Sequence, residues 1–149
     1  MKINAKGLAL VKRWEGLRLE AYRCPAKILT IGYGSTGPHV KEGMVITEAE
    51  AEALLLKDLA RFENGVTAIV GLAPTTSDQF SALVSFAFNL GLHALLKSTL
   101  LKKHKARDYS AAAAQFASWN KVRRNGQLVP LAGLTARRAA EAKLYKGEA

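Results

Sequence analysis

Apolar positions Leu8, Val11 and Trp14, with Leu10 alongside, recur at the three-to-four spacing of one helix face. Asn4 stands where its side chain caps the first free amides of that helix, and Gly16, directly after Glu15, is a stop signal. Over residues 17–45 the period changes. Leu29-Thr30-Ile31-Gly32-Tyr33-Gly34 alternates β-branched and aromatic residues among glycines, which predicts short strands and tight turns in a small sheet. Thr47-Glu48-Ala49-Glu50 then matches a capping box, and a helix follows through Leu55, Leu59 and Phe62. After a break over residues 71–75, Thr76-Ser77-Asp78-Gln79 opens a strongly apolar helix through Phe80, Leu83, Val84, Ala87 and Phe88, closing near residues 89–91. Shorter helices are expected around 98–105, 110–119 and 136–145, with Asn125-Gly126 as a turn and Thr135 as the cap of the last helix. The fold class is α+β: one helix, a small sheet, then an almost wholly helical second half.

Composition narrows what such a fold can do. The chain has 149 residues, 49% of them hydrophobic, enough for one domain with a real core. No run approaches the roughly 18 consecutive apolar residues of a membrane span, so stable membrane insertion is not expected. Met1-Lys2-Ile3-Asn4 is too polar for a signal peptide, which predicts that any export needs outside help. One cysteine, Cys24, excludes an internal disulfide, and with His39, His93 and His104 it gives no zinc-ligand spacing, so neither metal nor cofactor is predicted. The formal charge of +10 favours encounter with polyanions. Nucleic acid, anionic lipid and cell wall all qualify, but basic clusters such as Arg123-Arg124 and Arg137-Arg138 are not interleaved with aromatics along one stripe, which argues against nucleic acid.

Glu15 is the residue that asks for a chemical explanation. The last turn of a helix carries partial negative charge and disfavours a carboxylate. The same field, with partial burial, would hold a proton on Glu15 at neutral pH, as a general acid for glycosidic cleavage requires; the alternative is a solvated helix-end residue. The context bears on the choice. Glu15, Cys24 and Thr30 are spaced as Glu, eight residues, Asp or Cys, five residues, Thr, within Glu15-Gly16-Leu17-Arg18-Leu19 and ahead of Ile31-Gly32-Tyr33-Gly34. This resembles the signature of the phage lysozyme family, glycoside hydrolase family 24. The stretch from Asp78 to Gly91 looks like that family's central helix, followed by Ser98-Thr99-Leu100-Leu101. Gly133-Leu134-Thr135-Ala136-Arg137-Arg138-Ala139-Ala140-Glu141, after Trp119-Asn120, is similar to the Gly-Leu-x-x-Arg-Arg-x-x-Glu phrase of lambdoid-phage endolysins.

The resemblance implies a single lysozyme-like domain: an N-terminal helix and sheet lobe over about 1–46, a helical lobe over about 47–149, and a cleft between them for the glycan of bacterial peptidoglycan. It implies that Glu15 protonates the leaving oxygen of the β-1,4 bond between N-acetylmuramic acid and N-acetylglucosamine. A second group must stabilise the anomeric carbon or position water behind it. Cys24 stands where many members carry Asp; as a thiolate it can serve as base or nucleophile, as a thiol it can only orient water, and Arg23 or Lys27 is the expected cause of any thiolate character. Cys24 alone would read as a small hydrophobe and Thr30 alone as an ordinary strand threonine; within the triad, Thr30 holds the water. Thr36, Phe88, Asn89 and Thr99 would contact saccharide, although Phe88 also reads as core and Asn89 as a helix-end cap. Arg137, rather than Arg138, would form an orienting ion pair with Glu15, and an outward-pointing member of the pair would simply be solvated. The implied protein is a monomer that stays in the host cytoplasm until a holin-type pore admits it to the periplasm and wall. A noncatalytic, cationic wall-binding or membrane-disrupting protein on the same fold is the alternative.

Overall fold

The computed structural model describes Met1–Ala149, and the chain divides into two compact units: Val11–Arg61, and Met1–Leu10 together with Phe62–Ala149. Helix α1 (Ala5–Glu15) and helix α2 (Glu48–Val70) each run through a boundary between them.

In the unit Val11–Arg61, Gly16 ends α1 with its N–H on the Lys12 carbonyl at 3.1 Å and φ of 73°, which turns the chain into strand β1 (Arg18–Arg23). Strands β2 (Leu29–Gly32) and β3 (Ser35–Thr36) follow, giving an antiparallel sheet in the order β1-β2-β3. The register sets Tyr22 against Thr30 and Thr30 against Thr36. Ile31, Val40, Ile46 and Ala51 form the buried centre, with Leu17, Leu29, Met44 and Leu54 packed around them. From the stretch predicted to alternate, Ile31 enters this core and Leu29 and Tyr33 pack against it. The capping box at the start of α2 is also present: the Glu50 N–H donates to the Thr47 hydroxyl, and the Thr47 N–H to the Glu50 carboxylate, both at 3.1 Å.

The other unit is organised around helix α3 (Ser77–Leu90), in which Gln79 to Ala87 are all buried. Its start is fixed twice. Thr76 and Gln79 exchange side chain-to-backbone hydrogen bonds in a capping box. Asn4, whose side chain caps α1 through the Gly7 N–H at 2.9 Å, also donates to Asp78 at 2.8 Å. Helix α4 (Leu92–Lys97) packs on α3, α5 (Thr99–Lys105) pairs with α6 (Tyr109–Gln115), and α7 (Ala132–Tyr145) packs along α3. Phe86 meets Phe116 and Trp119 edge-on at 5.9 and 5.3 Å.

Three expectations are corrected here. The almost wholly helical second half also holds two strands that were not expected: β4 (Lys121–Arg124) and β5 (Gln127–Pro130) form a hairpin about the expected turn Asn125-Gly126, both with positive φ, as a two-residue hairpin turn demands. Thr135 does not cap the last helix. Leu131, extended after Pro130, stands at that position, and the Thr135 hydroxyl donates to the Leu131 carbonyl at 3.1 Å from within the helix. Finally, a further short helix, α4, begins directly after Gly91.

Candidate active site

Glu15 is the last residue of α1 and is half-buried. Its placement follows from Gly16, whose left-handed backbone stops the helix at this residue. The carboxylate reaches the β2–β3 turn: a side chain built on Gly34 would begin 3.4 Å from Glu15 Oε1, and Gly34 itself has φ of 86°. The left-handed backbone calls for glycine there, and the carboxylate sits at the near limit of ordinary contact.

Cys24 lies just beyond β1 and is half-buried, in a turn folded back on itself. Its N–H donates to the Ile28 carbonyl at 3.0 Å, and its carbonyl accepts the Lys27 N–H at 2.7 Å. The thiol is held below its ordinary range chiefly by the backbone N–H of Ile28, against desolvation, and next by that of Ala26. The expected cause was a neighbouring cation. Instead, the Arg23 guanidinium is engaged elsewhere, with the Lys27 carbonyl at 3.2 Å and Glu42 at 2.8 Å.

Thr30, on β2, is only 3% exposed. Its hydroxyl donates to the Ile28 carbonyl at 2.9 Å, so its one proton is committed and its lone pairs remain. Thr36 is exposed and directly opposite on β3. Within this unit the fold thus brings Thr30 to the Cys24 turn and to Thr36, and Glu15 to the loop joining their strands.

The remaining residues lie in the unit that contains α3. Phe88 is half-buried and edge-on to Phe62 at 5.1 Å, as its place on the apolar face implied. Asn89 is exposed and inside α3; the cap is Gly91, whose N–H reaches the Ala87 carbonyl at 2.7 Å. Thr99 is exposed at the start of α5 and lines a pocket of about 360 Å³ together with apolar Leu90, Trp119 and Leu128 and polar Gln115, Ser118 and Lys121.

Arg137 and Arg138 are both buried, so neither is the solvated member of a pair. Glu141, fully buried on the same helix, takes Arg137 Nε at 3.2 Å and Arg138 Nε at 2.7 Å. The Ser85 hydroxyl donates to Glu141 at 2.6 Å, and Arg137 donates to the Ser85 carbonyl at 3.2 Å. Burial raises the Glu141 carboxyl above the usual range, opposed by the two guanidiniums and the Ser85 hydroxyl. Sequence reasoning named neither Ser85 nor Glu141 as a site residue, although Glu141 stands three and four positions after the two arginines, the spacing at which helix side chains meet.

Comparison with known proteins follows the same lines. The family model for phage lysozyme matches residues 12–141. An endolysin of Acyrthosiphon pisum secondary endosymbiont phage 1 is 46% identical over 149 residues, covering 98% of this chain and 99% of that protein. An endolysin from Escherichia coli O157:H7 phage FAHEc1 superimposes with a TM-score of 0.90 at 42% identity, over 97% of this chain and 93% of that one. The muramidase domain of SpmX from Asticaccaulis excentricus gives a TM-score of 0.90 at 39% identity, over 97% of both chains. This chain spans about half the length of the Bacillus phage endolysins that it also matches, 54% and 55%.

Proposed function

Because the chain belongs to the phage lysozyme family, we propose that it breaks the β-1,4 bond between N-acetylmuramic acid and N-acetylglucosamine with Glu15 as the acid and Cys24 as its counterpart. Lysozyme-type glycoside hydrolysis of peptidoglycan is the family activity, and the chain is an endolysin on that basis.

The observation that carries the residue assignment is the placement of Glu15 at a glycine-terminated helix end with its carboxylate against Gly34, in the same unit as the Cys24 turn and Thr30. Glu15 gives its proton to the glycosidic oxygen as the bond to the anomeric carbon breaks. A water then adds to that carbon. One of its O–H bonds stays intact and donates a hydrogen bond to the Thr30 hydroxyl, whose own proton is spent on Ile28, while the other proton passes to the Cys24 sulfur. The water lone pair is left for the carbon. Glu15 ends ionised and Cys24 protonated, and exchange with solvent restores both. Thr36, Phe88, Asn89 and Thr99 belong to the saccharide contacts of this reading, and Arg137 to the orientation of Glu15.

We further infer a monomer that remains in the host cytoplasm until a separate pore opens the inner membrane, and then acts on the wall. No helix of the fold is long and apolar enough to cross a membrane. Fractionation of expressing cells with and without a pore-forming protein tests the route: appearance in the periplasm without one would refute it. Clearing of a purified peptidoglycan suspension tests the chemistry. Glu15→Gln is expected to abolish clearing with folding intact, and undiminished clearing would refute the acid role.

A further inference from the structure

Lys102, Lys103, Lys105 and Arg107 crowd the end of α5. None of them lies within ion-pairing distance of a carboxylate, and the acid next in sequence, Asp108, is taken up in capping α6 through the Ala111 N–H at 3.3 Å. The partial negative charge of a helix C-terminus accounts for lysines in the last turn. It does not account for Arg107, which is exposed and left-handed at φ of 63°, with the Asp108 N–H closing across it on the Lys103 carbonyl at 2.9 Å. Glycine fills such a place with less strain, so a cation is kept there at some cost to the fold. Beside these charges stands Leu72, fully exposed in the turn after α2. Two hydrogen bonds hold that turn against the end of α5: His104 Nε2 lies 2.8 Å from the Thr75 hydroxyl, and the Tyr109 hydroxyl donates to the Pro74 carbonyl at 2.6 Å. Leu72 and Arg107 each stand two residues from the Tyr109–Pro74 bond, and two residues span at most about 7 Å of chain, so they flank it.

We propose that this end of the helical unit is a docking surface for the anionic phospholipid face of a membrane, with Lys102, Lys105 and Arg107 on the headgroup phosphates and Leu72 entering between them. Charge complementarity selects an anionic partner, and the exposed leucine selects a bilayer over a soluble polyanion, since only a bilayer gives that side chain an apolar place to go. The contact is peripheral and reversible, because a few cations and one leucine fall far short of an inserted helix. It is separate from hydrolysis: none of these residues belongs to the site built on Glu15, Cys24 and Thr30.

Co-sedimentation of the whole protein with vesicles of equimolar phosphatidylglycerol and phosphatidylcholine, against vesicles of phosphatidylcholine alone, tests this. Adsorption is expected to the first and not to the second. Neutralising one cation of the patch should weaken it about fivefold, so Lys102→Gln with Lys105→Gln should cost about 25-fold. Arg123→Gln with Arg124→Gln removes the same charge from the β4–β5 hairpin and should cost about twofold or less. Arg107→Gly should weaken adsorption about fivefold while the melting temperature holds or rises, an outcome that a purely structural arginine would not give. Leu72→Ser should weaken it by about fivefold at unchanged charge. Equal losses from the two charge pairs, or equal adsorption to both vesicle types, would overturn the proposal. Undiminished adsorption by Leu72→Ser would do so as well, leaving a site for soluble polyanions such as wall polymers. No peptidoglycan is present in this experiment, so its result and that of the Glu15→Gln clearing test stand or fall separately.

Discussion

Gly34 is where backbone and chemistry meet most closely. Any other residue there must hold φ near 86° and set a methylene 3.4 Å from Glu15 Oε1. Gly34→Ala is therefore expected to cost about 1–2 kcal/mol of stability from the left-handed backbone. It should also lower peptidoglycan turnover by about tenfold beyond that, because the acid is displaced from its position. Thermal denaturation beside a rate measurement separates the two; a destabilised but fully active protein would remove Gly34 from the account of the acid. In the proposed mechanism Cys24 accepts a proton, so activity should fall as pH drops through its pKa. Cys24→Asp should move that acidic limb lower while retaining activity, and Cys24→Ser should lose more; the reverse order in a pH–rate series would argue against a proton acceptor here. Glu15, Cys24 and Thr30 were legible as candidates from their spacing. The committed proton of Thr30 and the amides that lower Cys24 were not, because both arise from how residues 24–28 fold, which no pairwise spacing reveals.

Among the helices, α5 and α7 are tied by His104. Fully buried, its Nδ1 lies 2.6 Å from the Tyr145 hydroxyl and its Nε2 2.8 Å from the Thr75 hydroxyl. Thr75 donates its own proton to the Ala73 carbonyl, so His104 Nε2–H must be the donor to Thr75, and Tyr145 donates to a neutral Nδ1. Burial holds the His104 pKa below its ordinary value. Below about pH 6.5 the unfolded chain takes up a proton that the folded ring refuses, so stability is complete above that pH and declines as pH falls toward the folded value. His104→Gln should be less stable at neutral pH yet show a flatter decline below it. Melting temperatures across that range decide the matter, and an unchanged slope would exclude His104 as the source. Long elements were readable because their caps and apolar faces are strong local signals, as at Asn4, Thr47 and Thr76. The β4–β5 hairpin was not: four residues per strand carry little periodicity, and only its Asn125-Gly126 turn stood out. Thr135 looked like a cap in sequence but loses that place to Leu131, which the hairpin delivers in an extended conformation.

At the scale of the molecule, a formal charge of +10 meets a substrate whose peptides carry carboxylates, and attraction of this kind is screened within roughly 8–10 Å at physiological salt. Turnover of intact wall should therefore fall several-fold between about 0.03 and 0.3 M salt, while that of a small neutral chitooligosaccharide should change little; equal salt sensitivity of both would assign the effect to the site and not to encounter. The α+β class and the family were legible because motifs are spread along the whole chain, from Glu15 to Glu141. Charge alone did not choose among polyanions, since nucleic acid, lipid and wall share the same sign. The most direct test of the central claim is the count of new reducing ends released from purified peptidoglycan by the parent protein and by Glu15→Gln at equal folded concentration. The account predicts release by the parent and a loss of about 10²–10⁴-fold in the variant; comparable release by both would contradict it.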